Sequence, residues 1–292
     1  LDQYATEIGL WQGIFEKYGI DLQTTEFVAG INTIDAVVNG TADIGMMADY
    51  AAVNRLGNTL DATNLQIFSQ ISGGQSALSG GLYVDPKYAD DPKSLDGSAG
   101  FMYQEGTVTY YYASKCIEYL GLDESKQNLI NTDSSQTRLA LIQKGGASAV
   151  YANGSEAKYI EEAGWVQVAT SQEIGIQTGS YFLSTDKYIS ENTDTLAKFL
   201  QAVDESTQYI NDHLDESAEY LADKLGLKAE DFKENWKNYS FEPGFSEEAT
   251  THLEDIEKWG FEHGSFPKDY NIRDFINTDV ARIAFPDNLN IE

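Results

Sequence analysis

The stretch SGGQSALSGG, residues 72–81, decides how the chain is organised. Its glycines and serines interrupt a regular alternation of helical and strand patterns, as a linker does. The alternation then restarts, and GIQTG at residues 175–179 interrupts it again. A chain that leaves a lobe at the first stretch and returns to it at the second forms two lobes with a cleft between them. We expect lobe 1 to comprise residues 1–74 and 180–292, lobe 2 residues 81–176, and the hinge crossings residues 75–80 and 177–179.

Helical and strand patterns alternate through the first 180 residues. Ile8, Trp11 and Phe15 share one helix face, which predicts a helix over residues 4–18. Further patterns predict a strand at 21–28, a helix at 31–38 and a strand at 42–47. Such alternation is typical of parallel sheets with crossover helices, so the expected fold class is α/β.

From Thr193 onward the patterns are nearly all helical. They predict helices over residues 193–213, 216–225, 229–239 and 246–263. The many acidic residues of this region are interpreted as solvated helix faces.

Composition excludes several classes of function. Lys and Arg number 19 against 47 Asp and Glu, a net charge of −28, so we expect neither a nucleic-acid nor an anionic-membrane partner. Cys116 is the single cysteine, which rules out an internal disulfide and a Cys/His zinc cluster. The three histidines lie in the last third of the chain, and a Ser/His/Asp triad would need one of them. We expect no metal, no cofactor and no catalytic residues.

Several motifs together resemble one protein family. GLWQGIFEKYGID at 9–21, the segment 30–45 ending in Asp-Ile-Gly, SLDG at 94–97 and the late helix at 192–218 are similar to segments of periplasmic solute-binding proteins. The similarity is to the nitrate/sulfonate/taurine and thiamine-pyrimidine precursor type, and it covers nearly the whole chain. It implies a two-lobe type II periplasmic-binding-protein fold with two hinge crossings and a helical C-terminal region.

The sequence departs from the family pattern in two ways. The family opens with a strand before the helix at Gly9, whereas only residues 1–4 precede it here. Either the start is processed or trimmed, or the strand comes from elsewhere, such as residues 281–291. The cysteine-rich motif of the thiamine-precursor enzymes is also absent, which argues against an enzyme of that branch.

A turn at the start of one predicted helix is the first candidate for ligand binding. In open α/β sheets, ligands bind beyond the carboxyl ends of strands and against helix N-termini. Gly106, Thr107, Val108 and Thr109 follow a strand, and their N–H groups offer an anion site, although an ordinary N-cap by Thr107 explains them equally well. The resemblance favours the anion site, because this turn corresponds to the family's anion-cradling turn. Tyr110 is the tyrosine nearest the helix start.

Two further turns supply polar side chains. Asp49, followed by Tyr50, is either a plain N-cap or a carboxylate for an ammonium group. In the other turn, Tyr151 suits a flat ligand and Asn153 can both donate and accept. Glu156 is either a ligand contact or a first-turn acid that the helix dipole favours.

The crossings and the start of the chain complete the candidate site. Gln75 and Ser76 on one crossing and Gly179 on the other are expected to line the cleft, while the glycines serve hinge geometry. Gln3 and Tyr4 precede the first helix, where the family contacts ligand; a frayed terminus is the alternative.

The candidate turns indicate the class of solute. None of these turns contains Lys or Arg, and Arg138 lies inside a predicted helix. A doubly charged anion such as sulfate would therefore rely on backbone amides alone. A taurine-like zwitterion or a polar flat heterocycle suits the helix N-terminus, Asp49, Glu156 and the tyrosines better.

The resemblance implies the solute-binding subunit of an ABC importer, which closes on its solute and docks on a membrane permease. Low cysteine content and acidity fit an extracytoplasmic location, in the periplasm or at the cell surface as a lipoprotein. We expect the protein to be a monomer. The alternatives are an enzyme or a sensor domain on the same fold, acting on or binding a pyrimidine or a small organic acid.

Overall fold

The computed structural model describes residues 2–27, 30–60, 64–74, 80–97, 99–105, 107–237 and 239–290. The chain divides into two compact units. One combines Leu1–Gly73 with Gly179–Glu292, and the other is Gly74–Thr178. Residues 75–79 of the predicted first crossing lie outside the described residues.

The described helices and strands are, in chain order, α1 (Asp2–Trp11), α2 (Ile14–Lys17), α3 (Gly30–Val38), β1 (Gly45–Ala48), α4 (Asp49–Thr59), β2 (Leu65–Gly74), β3 (Gly80–Val84), β4 (Phe101–Tyr103), α5 (Val108–Tyr119), β5 (Leu129–Asn131), α6 (Ser135–Gln143), β6 (Ala149–Asn153), α7 (Gly154–Glu162), β7 (Val166–Thr170), α8 (Ser171–Ile174), β8 (Thr178–Thr185), α9 (Asp186–Asp212), α10 (Leu214–Leu225), α11 (Ala229–Trp236), β9 (Phe245–Ser246), α12 (Glu247–Glu262), α13 (Asp279–Ala284) and β10 (Leu289–Asn290). The helices α9 to α12 confirm the predicted helical C-terminal region.

The first unit is built on a three-stranded sheet in the order β1-β8-β2, in which β1 and β8 are antiparallel. Apolar side chains of α1 and α9 pack together in a core that includes Ile8, Phe68, Phe182 and Leu200. The side chains of α9 that enter this core recur at three- and four-residue intervals, as the amphipathic pattern predicts.

The second unit is built on a five-stranded sheet in the order β5-β4-β6-β3-β7. Strand β4 is parallel to β5 and β6, whereas β3 is antiparallel to β6 and β7. Helices α5, α6 and α7 begin after the carboxyl ends of β4, β5 and β6. Because those three strands are parallel, the starts of the three helices lie at one edge of the sheet.

Three expectations about local structure are wrong. The helix predicted over residues 4–18 is two helices, because Gly13 adopts the left-handed conformation with φ 67°. The described part of the predicted strand at 21–28 has no regular structure. Both sheets contain antiparallel pairs, since the periodicity that predicts a strand carries no information about its direction.

The C-terminal segment does not replace a first strand. Residues Asp279–Ala284 form α13, and among the described residues that follow, only Leu289–Asn290 is a strand, β10. That strand pairs in parallel with β9 and not with either larger sheet. The expectation that residues 281–291 supply the family's opening strand is therefore wrong.

Helices α4 and α12 hold an aromatic ring against their backbones. A Cβ atom at Gly57 would lie 2.5 Å from Cγ of Phe266, and one at Gly260 would lie 2.6 Å from its Cε1. Phe266 itself is 3% exposed. The ring therefore fills space that any side chain at either glycine would need.

Glu257 on α12 is a buried carboxyl group that favours its protonated form. Burial, followed by the hydrogen bond with Asp269, raises the pKa of Glu257 to about 7 from 4.5. Within the described part of the chain, no group hydrogen-bonds to its Oε1 atom. Ionised Glu257 is thus a cost to the fold.

We predict that Glu257→Gln removes a pH dependence of stability. Because the folded-state pKa is raised, the stabilising contribution of the carboxyl group is complete below about pH 4.5 and is lost as the pH rises through about 7. The variant should match the wild type at pH 4.5 and exceed its free energy of unfolding by about 3 kcal/mol at pH 8. Urea denaturation at both pH values measures this. The exposed Glu262→Gln on the same helix is the control, and an equal effect of the two variants would contradict the prediction.

Candidate functional site

The carboxyl ends of β4 and β5 meet through hydrogen bonds in the second unit. Thr132 donates both its N–H and its hydroxyl to the carbonyl of Tyr103, each at 2.8 Å. The N–H of Glu105 donates to Oδ1 of Asn131 at 3.1 Å. This edge, with the first turns of α5, α6 and α7, is called the unit-2 edge below.

Thr107 is the N-cap of α5. Its hydroxyl accepts from the N–H of Thr109 at 3.3 Å and contacts the Thr109 hydroxyl at 2.7 Å, and the latter accepts from the N–H of Gln104 at 2.8 Å. The ordinary N-cap interpretation of Thr107 is therefore confirmed. Val108 is partly buried at the first position of the helix. Anion binding at this turn stays a prediction.

Two tyrosines of the unit-2 edge differ in their surroundings. Tyr110 is partly exposed, its ring lies 4.6 Å from that of Tyr103, and its hydroxyl donates to Glu124 at 3.4 Å. Burial and the Glu124 carboxylate raise the pKa of Tyr110 to about 12. Tyr151 is 6% exposed, with its hydroxyl 3.0 Å from that of Ser171. It packs inside the unit, which leaves little of its ring for stacking on a ligand.

A buried ion pair joins α6 and α7. Nε of Arg138 donates to Oε1 of Glu156 at 2.6 Å, and the two side chains are 7% and 20% exposed. Nη1 of Arg138 donates to the hydroxyl of Thr132 and Nη2 to that of Ser135. A basic side chain therefore reaches this edge after all, and Glu156 is its counter-charge. This contradicts the expectation of an edge without a basic residue and of a Glu156 carboxylate free for an ammonium group.

Asn153 occupies the N-cap position of α7 without capping the helix through its side chain. Its backbone pairs with Gly80 of β3, and the residue is partly buried. Its amide is therefore placed at the unit-2 edge, between the end of β6 and the start of α7.

Asp49 is the centre of a buried polar cluster in the first unit. It is the first residue of α4, after the N-cap Ala48, and is 1% exposed. Its Oδ2 accepts from the N–H of Gly179 at 2.9 Å and lies 2.7 Å from Nε2 of His252, while Oδ1 accepts from the N–H of Tyr50 at 2.6 Å. Asp49 is thus not the N-cap, and both of its oxygens already have partners where an ammonium group was expected.

Tyr50 and Gly179 belong to the same part of the first unit. Tyr50 is 6% exposed, and its hydroxyl lies 3.5 Å from that of Ser265. At Gly179 a Cβ atom would lie 2.7 Å from the hydroxyl of the buried Tyr181, so a side chain there would force a rearrangement. Burial raises the pKa of Tyr181 far above its ordinary value.

The start of the chain is helical and not frayed. Gln3 is exposed on α1, whereas the ring of Tyr4 packs edge-on against that of Phe232 at 5.4 Å. Asp2 accepts hydrogen bonds from Ser72 and Tyr239. These contacts fix the first turn of α1 to its own unit.

Three predicted site residues, Gln75, Ser76 and Gly106, lie outside the described residues. Among the residues that the structure does describe, no three His, Cys, Asp or Glu side chains form a group that could hold a metal ion. None of the described helices combines the length and apolar composition that a membrane span requires.

Two residues with a place in these clusters were missed from sequence. Arg138 pairs with a residue 18 positions away, and His252 with one 203 positions away. Neither spacing falls within a single helix or hairpin, so neither pair leaves a periodic signal. The sequence shows Arg138 only as a basic residue inside a predicted helix, without its partner.

The family follows from the sequence as a whole. Residues 8–217 match the family model described as NMT1/THI5 like. The chain belongs to this family. The match confirms the resemblance drawn from residues 9–21, 30–45 and 94–97. A comparison with curated proteins found no match.

Solved structures show the same fold. The periplasmic aliphatic sulphonate binding protein SsuA from Escherichia coli aligns with a TM-score of 0.79 at 16% identity, over 97% of this chain and 96% of that chain. The periplasmic nitrate-binding protein NrtA from Synechocystis PCC 6803 gives 0.67 at 15% identity, over 97% and 85%. The desulfurization enzyme DSZB gives 0.68 at 12% identity, over 97% and 95%. The expected α/β periplasmic-binding-protein fold is confirmed.

We predict that Asp49→Ala destabilises the first unit. The change leaves the buried His252 Nε2 and the Gly179 N–H without their acceptor, at a cost of about 2–4 kcal/mol in the free energy of unfolding. Urea denaturation followed by tryptophan fluorescence measures it, since three of the four tryptophans belong to this unit. Asp186→Ala, at the exposed first position of α9, is the control. A loss below about 0.5 kcal/mol, which is the usual range for substitutions on the surface, would contradict the prediction.

Proposed function

We propose that this protein is the extracytoplasmic solute-binding subunit of an ABC importer. The observation that carries the proposal is membership of the NMT1/THI5-like family over residues 8–217. The shared fold with a sulphonate-binding and a nitrate-binding protein supports it. In this role the protein is a monomer that closes on one small solute and delivers it to a membrane permease.

The solute we favour is a small organic zwitterion of the sulfonate class, of which taurine is the simplest test compound. The net charge of −28 repels a net anion, whereas a zwitterion has no net charge to be repelled. The Arg138 guanidinium is neutralised by Glu156 and so offers no excess positive charge. A sulfonate would then depend on N–H groups and hydroxyls at the helix starts.

The residues that we propose for the solute lie mainly at the unit-2 edge. They are the partly exposed or partly buried polar groups at the starts of α5 and α7, namely Thr107, Val108, Thr109, Tyr110 and Asn153. Gln75, Ser76 and Gly106 stay in the proposal from sequence alone. Asp49, Tyr50 and Tyr151, which are buried among contacts within their own units, are left out of the proposed set.

A binding role is favoured over catalysis by the state of the one cysteine. Cys116 is fully buried in α5, and burial raises the pKa of its thiol far above the ordinary value. A nucleophilic cysteine needs a stabilised thiolate and access to substrate. The buried Asp49–His252 pair, in turn, has the contacts of a structural tie between α4 and α12.

The proposal is tested by native mass spectrometry of the purified protein and by a thermal-shift panel. The panel is taurine, ethanesulfonate, nitrate, an aromatic acid and an aminopyrimidine. We expect taurine to raise the melting temperature saturably, because a ligand that binds only the folded state stabilises it by mass action. Ethanesulfonate, which lacks the ammonium group, should bind at least tenfold more weakly. A compound that is converted over time would overturn the binding role in favour of an enzyme.

Asn153→Ala tests the unit-2 edge. Removing an amide that donates to the solute should weaken taurine binding about tenfold in calorimetry. The Asn153 side chain does not cap α7, and its hydrogen bond with the Tyr151 hydroxyl is the contact within the protein that the variant loses. Asn128→Ala is the matched control, since that exposed asparagine precedes β5, away from its carboxyl end. Equal affinities of the two variants would remove Asn153 from the site.

A further inference from the structure

The ion pair between Arg138 and Glu156 lies at the unit-2 edge, where α6 and α7 begin. We propose that Glu156 is a specificity-determining residue: by neutralising Arg138, it makes this edge accept solutes without net charge and reject net anions. The proposal rests on the proposed solute-binding function and adds to it the charge class that the site selects.

Arg138 is held in place from three elements. Its Nε donates to Glu156 of α7, its Nη1 to Thr132 at the end of β5, and its Nη2 to Ser135 in the first turn of its own helix. These contacts use three of the five N–H groups of a guanidinium, whose charge is permanent. The position of that charge is fixed by the fold and not by a flexible side chain.

Thr132 connects the guanidinium to the rest of the edge. Its hydroxyl accepts from Arg138 at 3.3 Å and donates to the carbonyl of Tyr103 at 2.8 Å. The ring of Tyr103 in turn lies against that of Tyr110 on α5. A charge change at Arg138 therefore acts on the same polar surface that the proposed solute contacts.

The charge of Glu156 determines whether the positive charge of Arg138 is compensated at that surface. Without it, a cation 7% exposed to solvent would lie beside the N-termini of α6 and α7, a combination that binds anions strongly. With it, an incoming anion meets a carboxylate whose oxygen lies 2.6 Å from the same guanidinium nitrogen. Repulsion by the Glu156 carboxylate therefore weakens the binding of a solute with a net negative charge. The same repulsion is small for a solute without net charge.

The test removes the charge of Glu156 and keeps its shape. In Glu156→Gln the amide oxygen can still accept from Nε of Arg138, while the positive charge becomes uncompensated. Glu162→Gln, exposed on the last turn of α7, removes the same charge from the protein as a whole. The double variant Arg138→Gln with Glu156→Gln restores a neutral pair and shows whether any effect needs the guanidinium.

The probes are ethanesulfonate and its uncharged analogue ethanesulfonamide, measured by calorimetry and by thermal shift at low and high sodium chloride. In Glu156→Gln, but in neither comparison variant, we expect ethanesulfonate to bind at least tenfold more tightly relative to ethanesulfonamide. Its binding should weaken with salt, because it becomes an attraction between opposite charges. If Glu156→Gln is unstable, ethanesulfonate should raise its melting temperature more than that of Glu162→Gln.

The outcomes separate this inference from the proposed function. A Glu156→Gln variant that matches Glu162→Gln overturns the inference, whether or not the wild type binds a solute. A wild type that binds none of the panel while Glu156→Gln gains ethanesulfonate binding supports the inference and counts against a sulfonate-class solute. A gain that persists in the double variant also overturns it, because the effect then does not come from Arg138.

Discussion

A charge buried where a strand gives way to a helix needs a partner, and this requirement organises both units. In the first unit, the Asp49 carboxylate binds the N–H of Gly179 and His252, so it joins α4, β8 and α12. In the second, the Arg138 guanidinium joins β5, α6 and α7. An unpaired charge at either place would carry the cost of desolvation without compensation. Each pair therefore fixes the start of a helix that follows a strand, α4 in the first unit and α7 in the second.

The local pattern of the sequence predicts most elements, because helix and strand periodicities are properties of short segments. The helices α3 and α12 follow from apolar spacing alone. The break at Gly13 was missed because a single glycine within a periodic pattern is compatible with a continuous helix. Strand direction was missed because two strands of identical composition pair either way.

The candidate site was predicted in part. Turns that follow parallel strands were found from sequence, since strand–turn–helix order places them. The partners of the charged residues were not, because Glu156 and Asp49 are satisfied by residues on other elements. The local sequence around a carboxylate near a helix start does not show whether its partner is a solute, an arginine or a histidine.

An excess of acidic residues has different physical effects on the surface and in the interior of such a protein. On the surface it repels anions and keeps molecules apart. In the interior, few basic groups are available to pair with carboxylates, so one arginine or histidine contacts several elements at once. The selectivity of the unit-2 edge would then come from how one buried cation is shared.

The ring of Phe266 between Gly57 and Gly260 also limits how this family member can change over evolutionary time. The three positions occupy one volume, so a methyl group at either glycine is compatible only with a smaller residue at 266. Substitutions there should be found in pairs among descendants of this sequence. The crossing of α4 and α12, which also carries Asp49 and His252, is thereby inherited as a unit.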